Sequence, residues 1–363
     1  MSSTIRIALI GAGQVSDFHH KPAIDLDPRC ELAAVCDPDA SLLEKRRGEW
    51  GEASYVTDYQ AVCDDPNVDA AIVATPNFTH REITEALCAA GKHVMCEKPL
   101  AVTAEDAQAM ADAADAVGVV HMTAFTYRFA PSMRYVKHLT ETGELGTPYH
   151  FRSQRWLDWG EKSWGWRQYK KTAGAGDLYD MTIHRIDFAE DLMGKLAAVC
   201  GAVARFKERT VGSDGSAVPP SDVDDWSSLI GRFEAGGTGV WEGSVLMKGH
   251  HNDGVGYEWA EVNGSTGSAA YQLTDPSKVL VGTNGKDLEH LPVPEEFLKH
   301  PDSPRDPREG KPSTVFRYDL VTEFVSAIAQ GRPAVPDFHH GVRAQLIADA
   351  VLASSDGAGW VTV

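Results

Sequence analysis

Over its first third the chain alternates short apolar runs with longer segments of helical spacing. The runs are IRIALIG (5–11), ELAAVCD (31–37), DAAIVAT (69–75), KHVMCE (92–97) and VVHMTAF (119–125). Each is too short for a helix and shows little of the polar alternation of a half-exposed strand, which predicts strands buried on both faces. Residues 15–26, 40–50, 79–90 and 103–117 have the periodicity of helices. Such alternation predicts a parallel sheet covered on both sides. A further helix is expected over 131–142, ended by GELG. Past residue 147 the pattern changes. SSLIGRFEA, TGVWEGSVLM, YEWAEVNG and GSAAYQL are strand-like, with the Gly-rich turns EAGGTG and NGSTG among them, which predicts an antiparallel meander. Residues 207–224 and 292–313, rich in Pro, Asp, Ser and Gly, read as long surface loops. Helices are expected near 314–329 and 339–354, and WVTV closes the chain. An α/β domain followed by an α+β domain is the expected plan.

The length of 363 residues, with 43% apolar and 24% charged, suits two soluble domains with a sizeable core. A formal net charge of -18 repels nucleic acid and anionic lipid, so neither is expected as a partner. Cys30, Cys36, Cys63, Cys88, Cys96 and Cys200 form no C-x-x-C pair, and most sit in apolar runs. They read as buried thiols in a reducing compartment. The N-terminus enters strand-like sequence directly, without a basic segment, an apolar stretch and a cleavage site, and no run reaches 18 apolar residues. A cytoplasmic protein is expected.

Three constellations carry chemistry. In IALIGAGQVS, Gly11 permits a tight turn after a strand, and Gly13 lets the backbone approach a pyrophosphate at a helix N-terminus. The third small residue of this fingerprint is Ser16. Asp37 ends the next strand, 26 positions after Gly11. Its carboxylate can accept both ribose hydroxyls and would repel a 2′-phosphate, which favours NAD over NADP. Arg46 and Arg47 follow on a predicted helix and are expected to face solvent. The second constellation is Glu97-Lys98-Pro99 after a strand, where open parallel sheets bind ligands. A lysine there can hydrogen-bond a reacting hydroxyl and move a proton, and a cis bond at Pro99 would aim it.

The third is AGAGDLYDMTIH (173–184), with Asp180 and His184 four residues apart. A packed polar face, a metal pair and a proton-handling pair all fit that spacing. A metal needs a third ligand, for which His19–His20, His250–His251 and His339–His340 are the donors at hand. Consecutive residues rarely both reach one ion, and no metal is expected. Beside a hydride acceptor the pair reads as acid/base machinery. Oxidising a secondary alcohol removes a hydroxyl proton as hydride leaves, and histidine titrates in the right range. Residues i and i+4 share a helix face. Gly174 and Gly176 would let backbone lie close to substrate or nicotinamide.

In order, GAGQVS, Asp37, ATPNFTH (74–80), EKP (97–99), AFTYRFAP (124–131) and GAGDLYDMTIH resemble the glucose–fructose oxidoreductase, inositol dehydrogenase and rhizopine-catabolism family over the whole chain. The resemblance implies a doubly wound parallel sheet of the Rossmann type over 1–125, binding NAD. Over 126–363 it implies a substrate-binding and oligomerisation α+β domain with a large, mostly antiparallel open sheet, the last helices packing back on the first domain. It implies cofactor contacts from Gly11, Gly13, Gln14, Val15, Asp37, Thr75, Pro76, Asn77, His80, Glu97 and Lys98. It places Lys98, Asp180 and His184 around the reacting carbon: His184 as base, Lys98 polarising the hydroxyl, Asp180 as orienter or substrate ligand. Tyr127 and Arg128 face the substrate by the same resemblance, and a homodimer or homotetramer forms through the C-terminal sheet. Two departures stand out: Ser16 replaces a glycine, and so does Thr182, which would narrow or polarise the pocket.

WLDWGEKSWGWRQYKK (156–171) adds tryptophans that stack on sugar C–H faces. Trp166, Arg167, Lys170 and Lys171 are its substrate-binding candidates. Lys248, His250 and His251 offer a further basic spot for an anionic substituent. The leading expectation is NAD-dependent oxidation of a secondary hydroxyl on a sugar, glycoside or cyclitol. The alternative is a glycoside hydrolase that keeps its NAD: transient ring oxidation, elimination, water addition and re-reduction, on an anionic sugar such as a sulfoquinovoside. A non-catalytic NAD sensor is disfavoured by the intact EKP and D-x-x-x-H motifs.

Overall fold

A computed structural model describes residues 4–251 and 254–363. Met1–Ser3, where the N-terminal reading begins, and Asn252 and Asp253 after the Lys248–His251 basic stretch lie outside the described residues. The chain divides into two compact units. The first runs to Thr126 and adds His300–Asp306 and Arg317–Val342; the second comprises Tyr127–Lys299, Pro307–Phe316 and Arg343–Val363.

In the first unit β1 (Ile5–Ile10), β2 (Cys30–Cys36), β3 (Ser54–Val56), β4 (Ala70–Val73), β5 (His93–Cys96) and β6 (His121–Thr123) form one parallel sheet. Its order is β3-β2-β1-β4-β5-β6. The connections carry α1 (Lys21–Leu26), α2 (Ala40–Trp50), α3 (Gln60–Asp64), α4 (His80–Ala89) and α5 (Ala104–Val117). β1, β4 and β5 are buried almost throughout, which is why their sequences show no polar face. Ala8, Ile10, Val73 and Val94 pack with Leu87 of α4 and Met110 of α5. A separate cluster joins Ala12, Val35 and Leu43 of α2. Asp39 caps α2 through the Ser41 and Leu42 amides, and Thr103 caps α5 before Gly118 ends it in left-handed conformation. The helix expected over 15–26 starts instead as a wide π-type turn, Ser16–His20. β3 and α3, of three and five residues, are too short to show a period.

In the second unit α6 (Pro131–Glu141), β7 (Pro148–Trp156), α7 (Lys170–Ala173) and α8 (Ile183–Met193) precede a run of strands. These are β8 (Leu196–Ala204), β9 (Trp226–Phe233), β10 (Thr238–Ser244), β11 (Tyr257–Gly264), β12 (Gly267–Gln272), β13 (Lys278–Thr283), β14 (Glu289–Pro292) and, closing the chain, β15 (Val361–Thr362). Nine of the strands make one open sheet, ordered β14-β13-β12-β11-β7-β10-β9-β8-β15. Every pairing is antiparallel except β7 with β10. The expected meander is therefore interrupted: β7 lies between β10 and β11. α6 packs on β12 and β13, and α8 on β7. The expected helix near 314–329 is divided into α9 (Pro312–Val315), a tight turn at Phe316–Tyr318 and α10 (Asp319–Gln330); α11 is Phe338–Ala353. All six cysteines are free, and among the described residues no helix is long and apolar enough to cross a membrane.

Candidate active site

The strand order of the first unit reverses between β1 and β4, and ligands of open α/β sheets bind at such a switch point. Gly11 stands there. Its φ is +97°, and a Cβ on it would lie 2.4 Å from the Ala74 carbonyl oxygen, so only glycine fits. A Cβ on Gly13 would meet nothing within 4 Å, which leaves the backbone open to an approaching pyrophosphate. Gln14 is exposed and Val15 half-buried beside it. Ser16 is fully buried and donates to the Gly11 carbonyl at 2.5 Å. The third position thus closes the turn with a hydrogen bond, where glycine would do so by having no side chain. Asp37 accepts the Ala12 amide at 2.9 Å and the Asp39 amide at 3.0 Å. A carboxylate has about four acceptor sites, so room remains for ribose hydroxyls.

Arg46 corrects the expectation of a solvent-facing side chain. It is buried, donates to the Ala12 carbonyl at 3.0 Å, and pairs with Asp17 at 2.9 Å and Glu49 at 2.6 Å. Neutralised there, it braces the turn and is spent for a 2′-phosphate. Arg47 is exposed, as expected. Asp37→Ala should therefore shift the ratio of kcat/KM for NAD over NADP downward by about ten- to hundredfold, the worth of charge-assisted hydrogen bonds. Parallel initial rates with the two cofactors measure it, and an unchanged ratio would remove Asp37 from the assignment.

Thr75, Pro76 and Asn77 follow β4, with Asn77 buried. His80 is fully buried, one ring nitrogen 2.9 Å from the Thr75 carbonyl and the other 3.1 Å from that of Pro99. Burial pushes its pKa down. Set between those two carbonyls, His80 links the loop after β4 to the loop after β5, the two loops expected to meet the cofactor. The Lys98–Pro99 bond is cis. Glu97 meets His20 Nε2 at 2.9 Å. Burial alone would raise the Glu97 carboxyl, but the His20 hydrogen bond and the charges of His20 and Lys98 outweigh it and hold the group low. Partial burial, with the Arg317 cation adding to it, pushes half-buried His19 down to about 3. Lys98 is half-buried at the end of this cluster.

In the second unit Asp180 lies in a π-type turn, Leu178–Thr182, that leads into α8. The Ile183 amide bonds the Leu178 carbonyl five residues back, so the expected α-helical face is widened here. Asp180 is 25% exposed, with Arg167 Nε 4.0 Å from its Oδ2. The Arg167 guanidinium stacks on Trp166 at 4.4 Å. His184 is buried, and its ring meets that of Tyr127 edge to face at 4.7 Å. Lys170 and Lys171 are exposed on α7. Arg128 is 8% exposed and held to α8 by Asp187 at 2.6 Å and Asp191 at 2.8 Å. Lys248 pairs with Asp158 at 3.1 Å, and His250 lies edge-on to Trp156.

Two further expectations are corrected. A Cβ on Gly176 would lie 1.7 Å from the Asp224 carbonyl oxygen, so this glycine serves a backbone crossing within the protein. Thr182 is buried, donating to Asp177 Oδ2 at 3.0 Å and standing 2.9 Å from Ser227 Oγ. It faces the core beneath the turn and not a pocket. Asp177 and Asp224 are the acids that sequence reasoning missed. Asp224 accepts the Gly176 and Leu178 amides at 2.7 and 3.0 Å, fixing the entry to the turn. Nothing in the local pattern marks them: Asp177 follows AGAG and Asp224 stands in the Asp-rich SDVDD, and neither stretch shows that its acid is buried. Among the described residues, the one group of three or more His, Cys, Asp or Glu with ligand atoms all within 4.8 Å of one another is Asp115, His121 and His339. It contains neither Asp180 nor His184, and the Phe338 amide occupies His121 Nδ1 at 3.0 Å.

A glycine turn at a switch point, an acid after β2 and a lysine after β5 define a dinucleotide-dependent oxidoreductase. Residues 5–125 match the model of an oxidoreductase family with an NAD-binding Rossmann fold, and residues 133–270 match the GFO/IDH/MocA C-terminal domain. The chain is 31% identical to levoglucosan dehydrogenase of Pseudarthrobacter phenanthrenivorans, covering 99% of this chain and 98% of that one. It is 30% identical to D-glucoside 3-dehydrogenase of Escherichia coli, covering 91% and 95%. Levoglucosan dehydrogenase in complex with NADH and levoglucosan superposes with a TM-score of 0.90 at 28% identity, over 99% of both chains. The chain belongs to the Gfo/Idh/MocA oxidoreductase family, and its cofactor is NAD.

Proposed function

We propose that this protein oxidises a secondary hydroxyl of a pyranose sugar, glycoside or cyclitol. It is an NAD-dependent dehydrogenase of the class to which its relatives belong: levoglucosan dehydrogenase, D-glucoside 3-dehydrogenase and an NAD-dependent scyllo-inositol 2-dehydrogenase. The observation that carries the reading is the π-type turn, which presents the Asp180 carboxylate next to an Arg167 stacked on Trp166 and leads directly to a buried His184. Trp166 offers a ring face to sugar C–H bonds, and Arg167 and Asp180 offer hydrogen bonds to hydroxyls. Bound NAD supplies the hydride acceptor, held by the Gly11–Gly13 turn, Asp37 and the loops after β4 and β5. His184 removes the hydroxyl proton, Lys98 hydrogen-bonds the same oxygen, and Asp180 orients the substrate. Tyr127 closes the imidazole off on one side, and Lys170 and Lys171 lie at the approach.

In this reading residues 1–125 hold the cofactor, and 126–363 hold the substrate and the subunit contacts. The enzyme is a cytoplasmic homodimer or homotetramer. Supporting the sheet as the contact, Trp156, Tyr257 and Trp259 alternate with buried neighbours along β7 and β11, and Ile230 on β9 is 44% exposed.

The test is a panel of levoglucosan, alkyl and aryl glucosides, a sulfoquinovoside and inositols with NAD. NADH should form in step with substrate consumed. Aglycone release with trace NAD and no accumulating NADH would overturn the dehydrogenase in favour of the hydrolase.

A further inference from the structure

The residue after His184 is an arginine, and it is buried. Arg185, Arg155 and Glu258 have side chains 2%, 5% and 0% exposed. Both guanidinium groups reach the same carboxylate oxygen, Glu258 Oε2: Arg185 through Nη2, and Arg155 through Nε at 3.4 Å. Buried ion clusters of this kind are poor stabilisers, since well-packed apolar residues often do as well or better. The cluster therefore asks for another role, and its contacts supply one.

Arg185 Nη1 donates to the Met181 carbonyl, inside the π-type turn and one residue beyond Asp180. The Arg185 guanidinium also lies over the Tyr127 ring, 5.0 Å from its centroid. Tyr127 in turn meets His184 at 4.7 Å with the rings at 84°. The Trp241 indole donates to the Arg185 carbonyl at 3.0 Å, which fixes the backbone from which the side chain departs. One cation thus touches the turn that carries Asp180 and the ring against which His184 stands. A planar guanidinium can stack and fork at once, which an ammonium cannot. Catalytic groups need orientation within roughly 10–20°.

We propose that Arg185, anchored by Glu258, is a positioning residue that holds His184 and Asp180 in working orientation through the Tyr127 ring and the Met181 carbonyl. The proposal rests on His184 being the base. Arg185→Met should lower kcat about ten- to hundredfold, as small misplacements do, with KM within about threefold. Glu258→Gln should move kcat in the same direction by less. NAD affinity, followed by protein fluorescence, should stay at wild type in both, because the Gly11 turn belongs to the other unit.

Arg185→Lys keeps a charge without the fork and is read if Arg185→Met fails to bind NAD; its kcat should still fall by about tenfold or more. Full kcat in Arg185→Lys, a rise in KM without loss of kcat in either variant, or a loss of NAD binding in Arg185→Lys that matches its loss of kcat overturns the proposal. His184→Asn separates the two assignments. An active His184→Asn removes the base itself. An inactive His184→Asn beside a fully active Arg185→Lys removes only the positioning role. In the His184→Asn background Arg185→Lys should cost nothing further, since groups acting as a unit are not additive.

Discussion

Lys98→Met and His184→Ala are each expected to lower kcat by about two to four orders of magnitude, the range a positioned proton-transfer group contributes. NAD should remain bound in both. His184 takes no part in the glycine turn or the Asp37 network, which are built within the first unit. Lys98 stands on a loop that His80 links to the loop after β4, and methionine keeps that loop's backbone contacts. The two losses should differ in form. Methionine at 98 retains length and apolar volume but removes the donor to the reacting oxygen, so kcat and kcat/KM should fall together. Alanine at 184 removes the proton acceptor and the partner of the Tyr127 edge, and added imidazole should restore part of the rate. Steady-state kinetics with NAD titration decide the matter. Turnover near wild type in either variant with NAD bound would remove that residue from the machinery.

The parallel sheet was legible because its strands are buried on both faces, as in Ala70–Val73, and because Gly11 sits where a backbone crossing tolerates no side chain. β7, with the polar sequence PYHFRSQRW, was not legible. Its inward positions include Ser153 and Arg155, which a binary pattern reads as solvent-facing. The sheet order failed for the same reason, since β7 is the strand that separates β10 from β11. As candidates, Lys98 after a strand and Asp180 and His184 four residues apart stand out in the sequence. The side chains that set their surroundings do not, because their partners are distant in sequence: Asp177 finds Ser227 and Arg185 finds Glu258. Arg46 was misread because a helical wheel shows no carbonyl outside the helix, and it is the Ala12 carbonyl that draws it inward.

Asp177→Asn should leave the unfolding midpoint nearly unchanged at pH 4 and raise it above wild type at pH 8. Asp177 is 2% exposed. It accepts only neutral hydroxyls in the structure, from Ser227 at 2.7 Å and Thr182 at 3.0 Å. Burial pushes its carboxyl up to about 7, with the Asp224 charge adding to the rise. The folded protein therefore holds this proton over a range in which the unfolded chain, titrating near 3.8, has released it. Below pH 4 both states are protonated and the group costs nothing. Between pH 4 and 7 stability falls as pH rises, and above 7 the full cost stands, at most about 4 kcal/mol for a carboxyl raised from 3.8 to about 7. Asparagine carries no charge to bury and keeps an oxygen for both hydroxyls. Its gain at pH 8 should then be several degrees, at about 2–4 °C per kcal/mol for a chain region of this size. Parallel midpoint-against-pH curves for the two proteins would refute the raised carboxyl. The acid also lies directly under the turn that bears Asp180, where a residue that weakens the fold is kept for what it holds in place. The variant that gains stability is therefore expected to lose turnover.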